Sequence, residues 1–467
     1  MCAQFFTTKE FAGFSMRLTG FELAQATSGT WHHGIPDRLK SIQTDSRNFK
    51  QGGAFLALRG PHFDGHAFAT SLIGKAQALI GDKQGLKLWQ SIHLPQLEVA
   101  NTQYALGDIA HAWRKKLAQT NVVAITGSHG KTTVRSMLEH ALTSLGFKVA
   151  ATHANLNNLI GVPATLLSVT EDTDIALIEC GISEVGEMQH LAAIVSPDIA
   201  IITGITHAHA EGLGNIQGVA HEKAQLLQHL NPQGWYALGE GTADKLAAAC
   251  EALPANRLKP SVTWAMSGCE LTLKQGNEAY TFELALPAQH WAANMALVAS
   301  IALAYAAERH VPARLADLQL QTWLPVSGRM QTRMGSNGCR ILDDSYNANP
   351  ISMQAALNTL IAMPYHRVAV LGDMAELGDE TDALHAQLDV AGIDKLILIG
   401  QHMQHLHLQH PTSQWFANVE QFLDTFDCHS LTAHDTVLIK ASHSMGLNRI
   451  VQSLLSTNTQ EAKVNAI

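Results

Sequence analysis

Seven consecutive residues, Gly127, Ser128, His129, Gly130, Lys131, Thr132 and Thr133, combine a glycine turn with a cation and hydroxyls. Few residues but glycine permit such a turn. A lysine directly after it can reach the β- and γ-phosphates of a nucleotide, and the first threonine hydroxyl can bind Mg²⁺. The flanks fit this chemistry. Residues 122–125 form a short apolar run rich in β-branched side chains, which predicts a buried strand. Val134, Met137, Leu138, Ala141, Leu142 and Leu145 recur at helical spacing. Strand, glycine turn, Lys-Thr and helix make a phosphate cradle, because a helix N-terminus offers unpaired N–H groups and a positive dipole end. The general pattern asks for glycine five residues before Gly130, where Ile125 stands, so the loop is a compact variant. A chance Gly-Lys-Thr in an ordinary strand–helix turn is the alternative.

Other candidates lie along the chain in the order that sheet chemistry suggests. Thr44, Asp45, Ser46 and Arg47 form a polar cluster, and Asp64, Gly65 and His66 form another. Both read equally as solvated turns or as a binding edge, with Arg47 suited to clamp a phosphate. A loop crowded with Asn155, Asn157 and Asn158 can hold polar substrate or simply make Asx turns. Glu179 ends an apolar strand-like run, where an acid can orient a nucleotide's metal or face solvent. His207, His209 and Glu211 follow the next such run, and Lys223 lies in a helical stretch over 216–230. Open α/β sheets bind ligands at the carboxyl ends of their strands, so the cradle, Glu179 and His209 are expected to converge. By the same rule Asp343, Asp344, residues 372–376 and residues 440–445 mark the working edge of a later sheet.

The elements that must position these residues are α/β throughout. A chain of 467 residues predicts two to four domains, each with its own core. The pattern divides into a small α/β domain over 1–95, a central cradle domain over 96–325, and a Rossmann-like domain with a largely parallel sheet over 326–467. The Gly-rich dinucleotide fingerprint is absent, so NAD is not inferred. A net charge of -9 without a basic tract argues against nucleic acid. The six cysteines are scattered without C-x-x-C pairs, which suits a reducing cytoplasm rather than a disulfide or zinc framework. The N-terminus lacks signal-peptide character. No run is read as approaching the ~20 apolar residues that span a bilayer, so no membrane insertion is expected. Most histidines, as in 401–410, read as plain surface.

The motifs DSR, DGH, TGSHGKTT, IITGITHAHAEGLG, DDSYNANP and LGDMAELG together resemble the Mur ligase family. The resemblance covers nearly the whole chain. It implies a UDP-binding first domain, an ATP-binding P-loop second domain and a Rossmann-like third domain. The activity implied is ATP-dependent amide formation in peptidoglycan synthesis, through an acyl phosphate, by a cytoplasmic monomer. The substrates implied are UDP-N-acetylmuramoyl-tripeptide and D-alanyl-D-alanine; the DNPR motif of the sibling that adds a diamino acid is missing. Folylpolyglutamate synthetases share the second and third domains, and another amide ligase of either kind is the alternative within the class.

Carried over position by position, the resemblance implies that Lys131 and the loop 127–130 hold ATP phosphates. Two Mg²⁺ ions are implied: one on Thr132 and Glu179, the other on Glu179, His209 and a carbamate formed by CO₂ on Lys223. Asn294, Arg329 and Asp344 would contact nucleotide, Arg329 near the γ-phosphate and Asp344 near the ribose. Ser46, Arg47, Asp64 and His66 would seat the UDP-sugar; Asn155 and Asn158, read from their amide-rich loop rather than from the family, are further substrate-binding candidates. The chain departs from the family pattern at His290-Trp291, usually His-Asn, and at His443, usually arginine.

Overall fold

The computed structural model describes residues 18–60, 62–206 and 210–455. The first sheet has the strand order Thr30–His32, Gln96–Val99, Ala78–Asp82, Ala54–Leu56, Ile42–Gln43. Only Thr30–His32 is antiparallel to its neighbour. Because Gln96–Val99 pairs with both Thr30–His32 and Ala78–Asp82, the first unit extends past the expected boundary at residue 95. Strand pairing is long-range, and no local composition shift marks it.

Helix Thr102–Lys116 joins this sheet to the next. Asn101 starts it by accepting from the backbone N–H groups of Gln103 and Tyr104. One face packs on helix Gly20–Thr27, and others on Gly161–Ser168 and Glu187–Val195. Trp113 is buried there and donates from Nε1 to the Val169 carbonyl at 2.9 Å.

The central sheet runs Trp235–Leu238, Ile199–Ile202, Asn121–Thr126, Ile175–Glu179, Val149–Ala151, every pair parallel. Helices cover both faces, which is why its inner strands are near-continuous apolar runs. Helix Lys131–Ser144 leaves the central strand and packs on the 20-residue helix Gln289–Glu308. That second helix corrects the sequence reading: it is long and apolar enough to cross a membrane. Here it is a core helix, with Met295, Val298, Ile301 and Ala302 buried. A three-stranded antiparallel meander, Thr263–Ser267, Glu270–Gln275 and Glu278–Glu283, lies against it.

The third sheet has the order Gln331–Met334, Arg340–Asp344, Asp435–Lys440, His366–Gly372, Lys395–Ile399, Gln414–Phe416. All pairs are parallel except the first. This is the expected Rossmann-like architecture. One continuous apolar cluster runs from Val123 and Val134 through Trp291, Trp323 and Met330 to Leu342, Met353 and Leu438. The second and third units therefore meet along a packed apolar seam that continues into the site. The cysteines among the described residues are free.

Candidate active site

The loop after strand Asn121–Thr126 is built on two glycines. Gly127 has φ 149°, and a Cβ there would lie 2.1 Å from Thr203 Oγ1; Gly130 has φ 78°. Any side chain at the first position collides with the neighbouring strand end. Polar contacts fix the loop against that same strand end. Ser128 N donates to Gly204 O at 2.8 Å, Thr206 N donates to Ser128 Oγ at 3.0 Å, and the Thr203 hydroxyl donates to His129 O. Lys131 folds back so that Nζ donates to Gly127 O at 2.6 Å. Burial depresses its pKa to about 8, with Glu179 opposing and Arg329 adding to the shift. Burial, reinforced by Lys131 and Lys245, holds His129 at about 4.

Ser128, His129, Gly130, Lys131 and Thr133 line a cavity of about 220 Å³ whose opposite wall is the third domain. Asn294, Arg329 and Asp344 line it too, so the structure brings these three sequence candidates to the loop. His290, also in the lining, is pushed down to about 4 by burial, against the pull of Asp344. Parallel pairing sets Asp344 beside Lys440, whose Nζ lies 2.6 Å from Asp344 Oδ2 and donates to Asn347 O at 2.8 Å. The Arg329 guanidinium stands 4.2 Å over the Tyr346 ring, and the His443 ring packs 5.3 Å from the same tyrosine ring. Asn349 Nδ2 donates to Ser128 O at 3.2 Å, tying the YNANP turn to the phosphate loop.

Beneath the loop, Thr132 Oγ1 donates to Glu179 Oε2 at 3.0 Å. Glu179 is 1% exposed, and Arg135 Nε donates to its other oxygen at 2.7 Å. Lys223 is wholly buried, and its Nζ has no hydrogen-bond partner among the described residues. Desolvation drives its pKa well below that of an ordinary lysine. Glu222 does not pair with it: its Oε1 accepts from the N–H groups of Gly186 and Met188, at the start of helix Glu187–Val195. His207 and His209 lie outside the described residues. Among those described, no cluster of three or more His, Cys, Asp or Glu could hold a metal. A hydroxyl and a buried carboxylate in hydrogen-bond contact beside a phosphate cradle still suit Mg²⁺, which takes few protein oxygens and completes its shell with phosphate and water.

The first-domain candidates do not share this cavity. Arg47 is exposed and forks onto Asp45, Nε to Oδ1 at 2.9 Å and Nη2 to Oδ2 at 3.0 Å. Ser46 is half-buried in the same turn. The His66 side chain is fully buried and both ring nitrogens are taken. Asp82 N donates to Nε2 at 3.2 Å, so the proton sits on Nδ1, which donates to Asp64 Oδ1 at 2.6 Å. The ring packs 5.1 Å from Trp89, and a Cβ at Gly85 would meet it at 1.7 Å. His66 is therefore a pillar of the first domain. Hydrogen bonds from His66 outweigh burial and lower the Asp64 pKa. Asn155 is exposed, and Asn158 Oδ1 accepts from Ile160 N and Gly161 N, the Asx alternative that the sequence left open. Arg135, Lys440, Tyr346 and Asn349 were given no individual role from the sequence. Each had a signal: Lys440 ends a strand on the expected working edge, Tyr346 and Asn349 lie in the DDSYNANP motif, and Arg135 is a cation one turn after the loop with Glu139 four residues on.

Fold and site define a mononucleotide-binding α/β protein in which a second parallel-sheet domain closes over the phosphate loop. The chain belongs to the Mur ligase family. The Mur ligase middle domain matches residues 125–303, the Mur ligase glutamate ligase domain 328–443, and the Mur ligase family catalytic domain 38–114. The UDP-N-acetylmuramoyl-tripeptide–D-alanyl-D-alanine ligase of Escherichia coli (strain K12) is 33% identical over 91% of this chain and 96% of its own. The ligase of that name from Bacillus subtilis (strain 168) is 29% identical over 90% and 94%. A crystal structure of MurF from Acinetobacter baumannii superimposes with a TM-score of 0.82 at 28% identity, covering 94% of this chain and 99% of that one.

Proposed function

We propose that this protein joins D-alanyl-D-alanine to UDP-N-acetylmuramoyl-tripeptide, consuming ATP and releasing ADP and phosphate in peptidoglycan synthesis. The observation that carries the reading is the cavity between domains that has the phosphate loop on one wall and Arg329, Asp344 and Lys440 on the other. The similarity to ligases of that name over nine-tenths of the chain supplies the substrates. We read the enzyme as a cytoplasmic monomer.

In this reading the tripeptide's terminal carboxylate attacks the γ-phosphorus, giving an acyl phosphate and ADP. The amine of D-alanyl-D-alanine then attacks the acyl carbon, and phosphate leaves. Attack brings anions together, so Lys131 must turn from Gly127 O to the phosphates, where the loop N–H groups join it. Arg329, pre-set on Tyr346, meets the γ-phosphate. Asp344, fixed by Lys440, accepts from the ribose. Closing the third domain over the loop keeps water from the acyl phosphate. Mg²⁺, when bound, would neutralise phosphate oxygens as a Lewis acid. Thr132, Glu179, His209 and a modified Lys223 are the residues that would hold its two ions.

A carbamate on Lys223 suits its setting. An ammonium opposing a divalent ion at about 4 Å costs roughly 8 kcal/mol even at an effective dielectric of ~20. The buried amine sheds its proton, forms an N–C bond with CO₂ and releases a second proton to solvent, becoming an oxygen ligand. A carbonyl resonance in the folded enzyme under ¹³CO₂, lost in Lys223→Ala, is expected. Lys223→Ala is also expected to lose activity and regain part of it with acetate; unimpaired activity would overturn this assignment.

The function is tested by incubating enzyme, ATP, the UDP-linked tripeptide and D-alanyl-D-alanine and identifying the product by mass. The UDP-linked pentapeptide is expected. Phosphate release indifferent to both carboxylate and amine would instead make the protein a nucleotide-driven switch.

A further inference from the structure

Arg135 has no part in the proposed reaction, yet it makes a buried, charged contact with Glu179 at the site. Its side chain is 9% exposed. Nε donates to Glu179 Oε1 at 2.7 Å, while Nη1 donates to Glu139 Oε2 at 2.6 Å one helical turn away. The second oxygen of Glu179, Oε2, is turned to the Thr132 hydroxyl. One guanidinium is thus shared between a buried carboxylate at the site and a half-exposed carboxylate at the rim.

We propose that Arg135 is a positioning residue that reserves one oxygen of Glu179 and leaves the other, Oε2, to face the cation held with the nucleotide. This rests on the reading that Thr132 and Glu179 hold that cation. Two consequences follow. First, the fork prevents the carboxylate from offering both oxygens, so the ion keeps coordination positions for phosphate. Second, Arg135 is a positive charge one carboxylate away from the ion, and it weakens cation binding to a degree that Glu139 sets. Neutralising Arg135 therefore tightens the cation while misaligning it. Neutralising Glu139 returns the whole of the arginine's charge to Glu179 and loosens the cation.

The test is the affinity of the enzyme–ADP complex for Mn²⁺, read by electron paramagnetic resonance of the free ion at mildly alkaline pH, alongside kcat. Arg135→Met is expected to bind Mn²⁺ at least about threefold more tightly with a reduced kcat, and Glu139→Gln about twofold or more weakly. Arg135→Lys, which keeps the charge but not the fork, should return the affinity towards wild type without restoring kcat. Opposite signs in the two neutral variants are not produced by a packing role. Shifts of the same sign, or none, overturn the proposal. If Arg135→Met does not fold, Glu139→Gln decides alone, because its side chain is 42% exposed and outside the core. Glu179→Gln separates the two levels. Mn²⁺ binding that ignores Glu179→Gln sinks the metal-site reading itself, whereas a Glu179-dependent site indifferent to Arg135 and Glu139 sinks only this inference.

Discussion

The side-chain amide of Asn349 donates to Ser128 O at 3.2 Å, while its own oxygen accepts from Ser352 N at 2.9 Å and starts helix Pro350–Ile361. One residue thus caps a third-domain helix and grips the second domain's phosphate loop. Asn349→Asp separates the roles, since a carboxylate still caps but cannot donate. Its melting temperature should stay near wild type, while ATP binding, by titration, weakens about tenfold (~1.4 kcal/mol). Asn349→Ala should lose the cap as well, at a cost of about 1 kcal/mol in stability.

Lys131→Ala should reduce kcat/KM at least ~100-fold, because removing a charge that meets the transferring phosphate costs ~3 kcal/mol or more. Circular dichroism and melting should barely change, since among the described residues the Nζ hydrogen-bonds only the carbonyl of its own loop. Near-normal turnover in a folded variant would take the phosphate loop out of the mechanism.

Two first-domain variants should behave oppositely. Arg47→Ala should weaken binding of the UDP-linked substrate, measured calorimetrically, and leave ATP binding and stability unchanged, because its fork lies on Asp45 at the surface. His66→Ala should cost roughly 2–4 kcal/mol in urea unfolding, since it empties a buried site and strands two polar partners. An Arg47→Ala enzyme that loses ATP affinity would remove the substrate assignment from the first domain.

Asp394 supplies a pH signature of stability. Hydrogen bonds from the Arg367 guanidinium and backbone N–H lower its pKa to about 2. A depressed carboxyl stabilises the fold fully above the ordinary carboxylate range. Its contribution fades as pH falls below about 4 and is gone below about 2. Asp394→Asn should therefore lower stability at neutral pH and flatten that acid limb in pH-dependent urea melts; an unchanged limb would show that the pair is not coupled to folding.

Much of this protein was determined locally. Glycines at positions of positive φ, β-branched runs followed by helical spacing, and capping residues such as Asn101 and Asn349 act over a few neighbours. The phosphate loop, the parallel central sheet and the Rossmann-like third domain were therefore legible from residues 122–145 and from the repeated strand-then-turn units. Partnership between distant residues was not legible. Asp344 meets Lys440 because their strands are adjacent and in register, and Arg135 meets Glu179 because a helix crosses the end of a neighbouring strand. The same limit decided His66. An Asp-Gly-His turn reads as a polar edge until packing shows the imidazole sealed under Trp89 and bonded on both nitrogens. Periodicity reports which face of an element is apolar, but burial and partner choice depend on strand order and on which surfaces meet, and those arise only when the whole chain has folded.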